Sequence, residues 1–260
     1  MSDTTVRPNI FPVLRYQDAP AAIAWLGRAF GFETRMEMPG PNRTIAHAEL
    51  RLGPGAIGIS SKTPPDGKNP WSTVDQGVYI WVEDPDAHHD HAKAAGATVA
   101  LPLKNQDYGA RDYSVRDPEG HLWCFGTYRM TDAVDRPNMS PTVWYDDAPA
   151  ALAWLERAFG FEKLVVIPGE NGSITHAELR LGPGVVMLSS SKPSDQATLG
   201  HARQAVCVVI EDPDRHHAQA VAAGARIVLP LADTHYGSRG YSAHDLEGRV
   251  WTFGTYRPQL

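Results

Sequence analysis

The chain is written twice. His47 to Gly55 (HAELRLGPG) recurs letter for letter as His176 to Gly184, Ala29 to Glu33 as Ala158 to Glu162, and Phe125 to Arg129 as Phe253 to Arg257. Glu83 to Asp86 recurs as Glu211 to Asp214, each with a His pair two residues on. The separation is 129 early in the repeat (His47 to His176) and 128 late (Phe125 to Phe253), so one residue is lost in the loop between. A period this long marks a duplicated domain and not a solenoid. The copies run over 1–129 and 139–260. The polar stretch 130–138, carrying Arg136-Pro137, reads as the linker.

The 260 residues are 42% hydrophobic, enough for a core in each copy. Net charge is −6 with no Lys/Arg-rich run, which argues against nucleic acid or an anionic membrane as partner. No apolar run reaches spanning length, and MSDTTVRPN lacks the apolar segment of an export signal. Cys124 and Cys207 are too few for a disulfide framework, so a reducing cytoplasm is expected.

Within the first copy a short apolar run, 10–16, reads as a strand. Pro20 sits where a first helical turn tolerates it, and Ile23, Leu26 and Phe30 form one helical face that stops at Gly31. Strands follow over 32–38, 44–52 and 56–61. After a Pro/Gly-rich loop (63–70), a strand over 77–83 leads into a helix beginning at Asp84-Pro85 and ending at Gly96. Strands near 97–103, 111–116 and 121–128 complete the copy, the last two joined by the turn Asp117-Pro118-Glu119-Gly120. Each copy therefore reads as βαβββ-βαβββ, an α+β fold, with modules of about 7–67, 73–129, 139–192 and 200–257.

Paired βαβββ modules with Asp-Pro-Glu-Gly before a last aromatic strand resemble the vicinal oxygen chelate superfamily. The stretch from Tyr108-Gly109-Ala110-Arg111 to His121-Leu122-Trp123 is similar to its glyoxalase and bleomycin-resistance branch. The likeness covers almost the whole chain, twice. It implies that each domain curls a mixed sheet around a cleft and that the fused chain supplies its own pair, a monomeric pseudo-dimer open to further self-association. It also implies, in metal-using members, a divalent ion held by His or Glu from a first and a late strand of each module. Carried over by strand register, those positions fall on Phe11, Glu49, Gly77 and Cys124, and in the second copy on Ser140, Glu178, Ala205 and Thr252. Only the glutamate survives, and one carboxylate does not hold such a cation. No metal or other cofactor is therefore expected; Mn, Fe, Ni or Zn is the alternative.

If Glu49 faces the cleft, strand alternation brings His47 and Arg51 with it, and likewise His176 and Arg180 with Glu178. A His beside a Glu suits proton transfer, which makes His47, Glu49, His176 and Glu178 the catalytic candidates; a self-satisfied polar ladder is the other reading. Tyr79 and Trp81 fall on the cleft face of their strand, where the second copy has Cys207 and Val209, and Trp144 replaces Arg15. Such walls suit a flat amphipathic ligand, or fill the space between domains. Tyr108 and Arg111, with Tyr236 and Arg239, border the cleft in the resembled family; an Arg there clamps an anion or ties down its own loop. Cys124 lies near the inferred cleft without any sign of activation. His88-His89-Asp90-His91 lacks the four ligands of a structural zinc site and reads as structural or solvated.

The leading expectation is metal-free capture of an aromatic or amphipathic small molecule, as in drug-sequestering relatives. The alternative is an enzyme acting on a small carbonyl or polyketide-like metabolite, by His/Glu proton transfer or as a metal-dependent glyoxalase-type lyase or dioxygenase. One copy could also be only a scaffold.

Overall fold

The computed structural model describes residues 8–64, 69–131, 137–191 and 203–258. The expected linker lies largely outside the described residues. The first module is β1 (Ile10–Tyr16), α1 (Ala19–Phe30), β2 (Glu33–Pro39), β3 (Ile45–Leu52) and β4 (Gly55–Ser61). The second is β5 (Gln76–Trp81), α2 (Pro85–Ala94), β6 (Thr98–Asn105), β7 (Arg111–Arg116) and β8 (Leu122–Gly126). The third is β9 (Met139–Tyr145), α3 (Ala148–Phe159), β10 (Glu162–Pro168), β11 (Ile174–Leu181) and β12 (Gly184–Ser190). The fourth is β13 (Gln204–Val209), α4 (Pro213–Ala222), β14 (Arg226–Asp233), β15 (Arg239–His244) and β16 (Val250–Gly254). The fourfold βαβββ reading of the sequence is what the chain adopts.

Local chemistry sets these boundaries. Asp18 accepts a hydrogen bond from the Ala21 amide, Pro20 occupies the first turn, and Gly31 ends α1 at φ 74°, which costs a glycine nothing. Asp147 and Gly160 do the same for α3. Each domain forms one eight-stranded mixed sheet, ordered β2-β3-β4-β1-β5-β8-β7-β6 in the first and β10-β11-β12-β9-β13-β16-β15-β14 in the second. The first strands of the two modules pair antiparallel at the centre, Phe11 opposite Tyr79 and Val13 opposite Gly77.

The two main cores cut across the domain boundary. One joins the helix sides of the second and third modules, including Val78, Trp123 and Phe125 with Leu155 and Phe159. The other joins the first and fourth, including Leu26 and Phe30 with Val206, Trp251 and Phe253. Phe30 lies 4.6 Å from Phe253 and Phe159 lies 4.7 Å from Phe125, ring centre to ring centre. Helix α1 accordingly packs on α4, and α2 on α3. The duplicated chain is a pseudo-dimer built on shared cores.

The His pairs serve this interface. His88 contacts Tyr113 Oη through Nδ1 (2.6 Å) and the Phe159 carbonyl through Nε2 (3.3 Å), and His216 makes the matching contacts with Tyr241 and Phe30. His91 reaches the Arg157 carbonyl at 2.7 Å, and its counterpart Gln219 reaches the Arg28 carbonyl at 3.0 Å. An imidazole and an amide thus do the same work, which is the structural role expected of this cluster. Burial pushes His88 down to about 4 and lowers His216. The native state therefore holds these rings neutral while an unfolded chain protonates them near 6.5. Stability is expected to fall as pH drops from about 6.5 towards 4, with His88 contributing on the order of 3 kcal/mol. Urea midpoints at pH 7, 6 and 5 check this, and His88→Asn should flatten the slope. An unchanged midpoint across that range would contradict it.

Candidate active or binding cleft

The strand forecast for 121–128 ends at Gly126, and this early stop builds the site. Residues 127–130 leave the sheet and reach back from β8 to side chains of β5, β3 and β2. Tyr128 donates its amide to Tyr79 Oη on β5 (2.8 Å) and its hydroxyl to Glu49 Oε1 on β3 (2.5 Å). Arg35 of β2 donates to the Met130 carbonyl. Met130 comes to rest beside Gly58, where a Cβ would lie 3.5 Å from its Cε and 3.6 Å from His47 Cε1. Under this strap Phe11, Ala56, Tyr79, Cys124 and Met130 form a third buried cluster, edged by Val13, Trp71 and Tyr128. Trp71 lies on β5 because residue 77 is glycine; a Cβ there would meet its ring at 2.8 Å.

The polar end of the cleft is organised around Glu49, which is 3% exposed. His47 Nε2 stands 3.7 Å from Oε1, beyond hydrogen-bond range, and Arg35 Nη1 stands 3.8 Å from Oε2. Burial alone would raise the Glu49 carboxyl, but His47, Tyr128 and the charge of Arg35 outweigh it and hold the group below the usual range. Burial and the Glu49 charge push the Tyr128 hydroxyl up to about 12, so it stays a donor at neutral pH. Tyr108 lies edge-on to Tyr128 at 5.9 Å and donates to Asp112 at 2.6 Å. Burial raises the Cys124 thiol to about 12, which leaves it protonated and unreactive.

The second domain repeats the polar end and changes the walls. Tyr256 donates to the wholly buried Glu178, and His176 Nε2 reaches Glu178 Oε1 at 3.3 Å. Tyr236 lies edge-on to Tyr256 at 5.6 Å. Ser140, Met187, Cys207 and Thr252 stand where the first domain has Phe11, Gly58, Tyr79 and Cys124. Cys207 is raised to about 12 by burial and by the Glu178 charge.

Of the residues singled out in the sequence, His47, Glu49, Tyr79, Tyr108 and Cys124 come together in the first cleft, and His176, Glu178, Cys207 and Tyr236 in the second. The arginines do not join them. Arg51 pairs at the surface with Glu33 (2.7 Å) and Arg180 with Glu162, because both lie at the outer end of their strand. Arg111 makes a two-pronged pair with Asp86 in the first turn of α2 (2.6 and 2.5 Å), and Arg239 does so with Asp214 (both 2.8 Å). They tie helix to sheet. Arg15 is buried and donates to the Ser61 carbonyl at 2.6 Å, closing the strand end. Trp144, its counterpart, is half-buried at the same strand end. Trp81 has the Arg129 guanidinium 3.5 Å above its ring and borders a groove between the domains with Asn9 and Leu181.

Tyr128, Tyr256, Arg35 and Asp112 join the clefts without being candidates in the sequence; the one sequence signal for the two tyrosines is the exact recurrence of Phe-Gly-Thr-Tyr-Arg.

The sequence matches the family described as the Glyoxalase/Bleomycin resistance protein/Dioxygenase superfamily over residues 10–125 and again over 139–253. The chain belongs to this superfamily. An uncharacterized protein of Mycobacterium bovis is 34% identical over 127 residues, 46% of this chain and 84% of its own length. A Mycobacterium tuberculosis counterpart matches equally, over 75% of its length. Among solved structures, a 4-hydroxymandelate synthase variant from Streptomyces coelicolor superposes with TM-score 0.68 at 12% identity, over 98% of this chain and 95% of that one. A Mn(II)-bound glyoxalase from Novosphingobium aromaticivorans gives TM-score 0.67 at 12% identity, over 96% and 82%. A homoprotocatechuate 2,3-dioxygenase from B. fuscum gives 0.69 at 13%, over 97% and 72%. At such identities the likeness is one of fold.

Whether this superfamily member can hold a divalent ion is decided by its donors. Counting along strands makes Glu49 the first module's counterpart of Cys124, but Glu49 sits on β3, opposite Gly58 of β4, whereas Cys124 sits on β8 next to the central β5. The inherited positions are therefore not four corners of one site. The central strands offer Phe11, Gly77, Tyr79 and a protonated thiol, and Glu49 is already engaged by Tyr128. Among the described residues no three His, Cys, Asp or Glu side chains gather closely enough to hold an ion. These residues do not fit the metal that the fold carries elsewhere. Also among the described residues, no helix is long and apolar enough to cross a membrane.

Proposed function

We propose that the first-domain cleft binds a flat, amphipathic aromatic molecule without a resident metal. The observation that carries this reading is the wall formed by Phe11, Tyr79 and Trp71 beside the Glu49–Tyr128 pair. Aromatic faces take the flat body of a ligand, and the carboxylate accepts from a ligand N–H or O–H or faces a cation. The strap at 127–130 must shift or reshape for entry, since Met130 and Tyr128 lie over the cleft.

Titration of tryptophan fluorescence with a panel of planar antibiotics and aromatic amines tests this reading, because Trp71 is in the wall. Tyr79→Ala is expected to weaken binding at least tenfold, about 1.4 kcal/mol, and Cys207→Ala in the other domain to leave it unchanged. Equal losses from both, or no binding by any panel member, would contradict it.

A second reading is supported by the recurrence of the His–Glu–Tyr set in both domains: a proton-transfer enzyme using His47/Glu49 and His176/Glu178 on a small carbonyl or polyketide-like substrate. There His47→Gln and His176→Gln would abolish turnover while leaving binding intact. Metal content by elemental mass spectrometry separates both readings from a metal-dependent lyase or dioxygenase.

A further inference from the structure

Between the domains, away from both clefts, lies a cavity of about 540 Å³ whose lining includes the polar side chains of Gln76, His121, Gln204, Arg226 and Arg249. Two of its walls are related by the repeat, since His121 and Arg249 are counterparts. Each packs on an aromatic ring of the other domain: His121 lies 4.4 Å from the Tyr145 ring, and the Arg249 guanidinium lies 3.7 Å above Tyr16. Both side chains are more than nine-tenths buried.

Their hydrogen-bonding capacity is not spent. The His121 Nδ1 position is taken by Asp117, while Nε2 is buried without a partner. Arg249 meets Glu247 through Nη1 at 3.3 Å, while its buried Nε has no partner. Arg226, at the rim, contacts His244 Nδ1 and has no carboxylate within ion-pair distance among the described residues. Buried polar groups left unmatched cost stability unless a ligand or water completes them. Glu119 and Glu247 also line the cavity but are already engaged: the first by Arg203 and the Asp146 and Asp147 amides, the second by Arg249 and the Asp18 amide.

We propose that this cavity is a second binding site, for a small anion whose carboxylate or phosphate oxygens take the Arg249 Nε–H, with Arg226 as a further cationic partner and the His121 ring Nε2 as a further hydrogen-bonding one. Guanidinium N–H donors favour such charged oxygens over neutral groups. The site exists only when both domains are docked, because its two principal donors come from different copies.

Calorimetric titration of the full chain with inorganic phosphate, and separately with succinate and citrate, tests the proposal. Binding stronger than about millimolar by at least one anion is expected, with the phosphate and carboxylate arms showing which oxygen chemistry is preferred. Arg249→Met should weaken it at least tenfold and His121→Gln severalfold, each judged on the anion-induced rise in melting temperature and not on absolute stability. Should Arg249→Met fail to fold, His121→Gln decides alone, supported by a shift of the His121 imidazole NMR signal on titration. No binding by any of the three anions at 10 mM, about the millimolar range or weaker, would overturn the proposal. So would binding that both variants leave unchanged, since that places the ion elsewhere.

Discussion

Asp117→Ala is expected to lower the unfolding free energy by about 3–5 kcal/mol, the range for removing one partner of a buried charged network. The side chain is wholly buried and accepts from the Glu119 and His121 amides at 3.0 and 2.9 Å. It also contacts His121 Nδ1, accepts from Trp123 Nε1 at 3.1 Å, and takes the hydroxyl of Tyr145 in the other domain. Alanine would strand all of these donors in the interior. For a chain of this size the melting temperature should fall by roughly 8–15 °C, readable by calorimetry. A loss below about 1 kcal/mol, the usual worth of a single hydrogen bond, would show that the turn does not latch the domains. Asp245, which accepts from Tyr16 at 2.5 Å and Trp251 at 3.1 Å, should behave alike. Burial alone would raise the Asp117 carboxyl, but His121, Tyr145 and Trp123 outweigh it and hold it low. Its share of stability is therefore complete above pH about 4, the ordinary aspartate range, and is lost as pH falls through the depressed value.

A chain ending after residue 131 is expected to form a homodimer and not a folded monomer. Cut there, α1 loses α4 and α2 loses α3, and Phe30, Val78, Trp123 and Phe125 lose the rings and aliphatic side chains that bury them. The repeat supplies a remedy, because α1 corresponds to α3 and α2 to α4. In a dimer of first halves, α1 of one copy can pack on α2 of the other. Exposed apolar surface on this scale drives association. Sedimentation of the isolated half at micromolar concentration checks it, and a stable monomer would mean that the shared cores are dispensable. Equilibrium unfolding of the full chain should accordingly show one cooperative transition.

The sequence was informative wherever structure depends on near neighbours in the chain. Periodicity and capping residues located α1 and α3, the recurrence of HAELRLGPG located β3 and β11, and alternation put Glu49 and His47 on one face. It misjudged groups whose partners are remote. Arg51 shares a face with Glu49 but sits two residues further out, where Glu33 and water are its neighbours. Arg111, for which the sequence left open both an anion clamp and a structural tie, is tied to Asp86, 25 residues earlier in the chain. The metal positions could be carried over only by counting along strands, and counting does not show that β4 separates β3 from the central pair.

The sequence by itself determined the duplication and the βαβββ order, because these depend on composition and period. Only the tertiary structure decided that the chain leaves the sheet at Gly126, bringing Tyr128 back over 79 residues to Glu49. The same holds for the cores that unite different domains and for the cavity lined by both His121 and Arg249. Each of these is a contact between distant segments, fixed by how whole faces are buried and not by any residue's local preference.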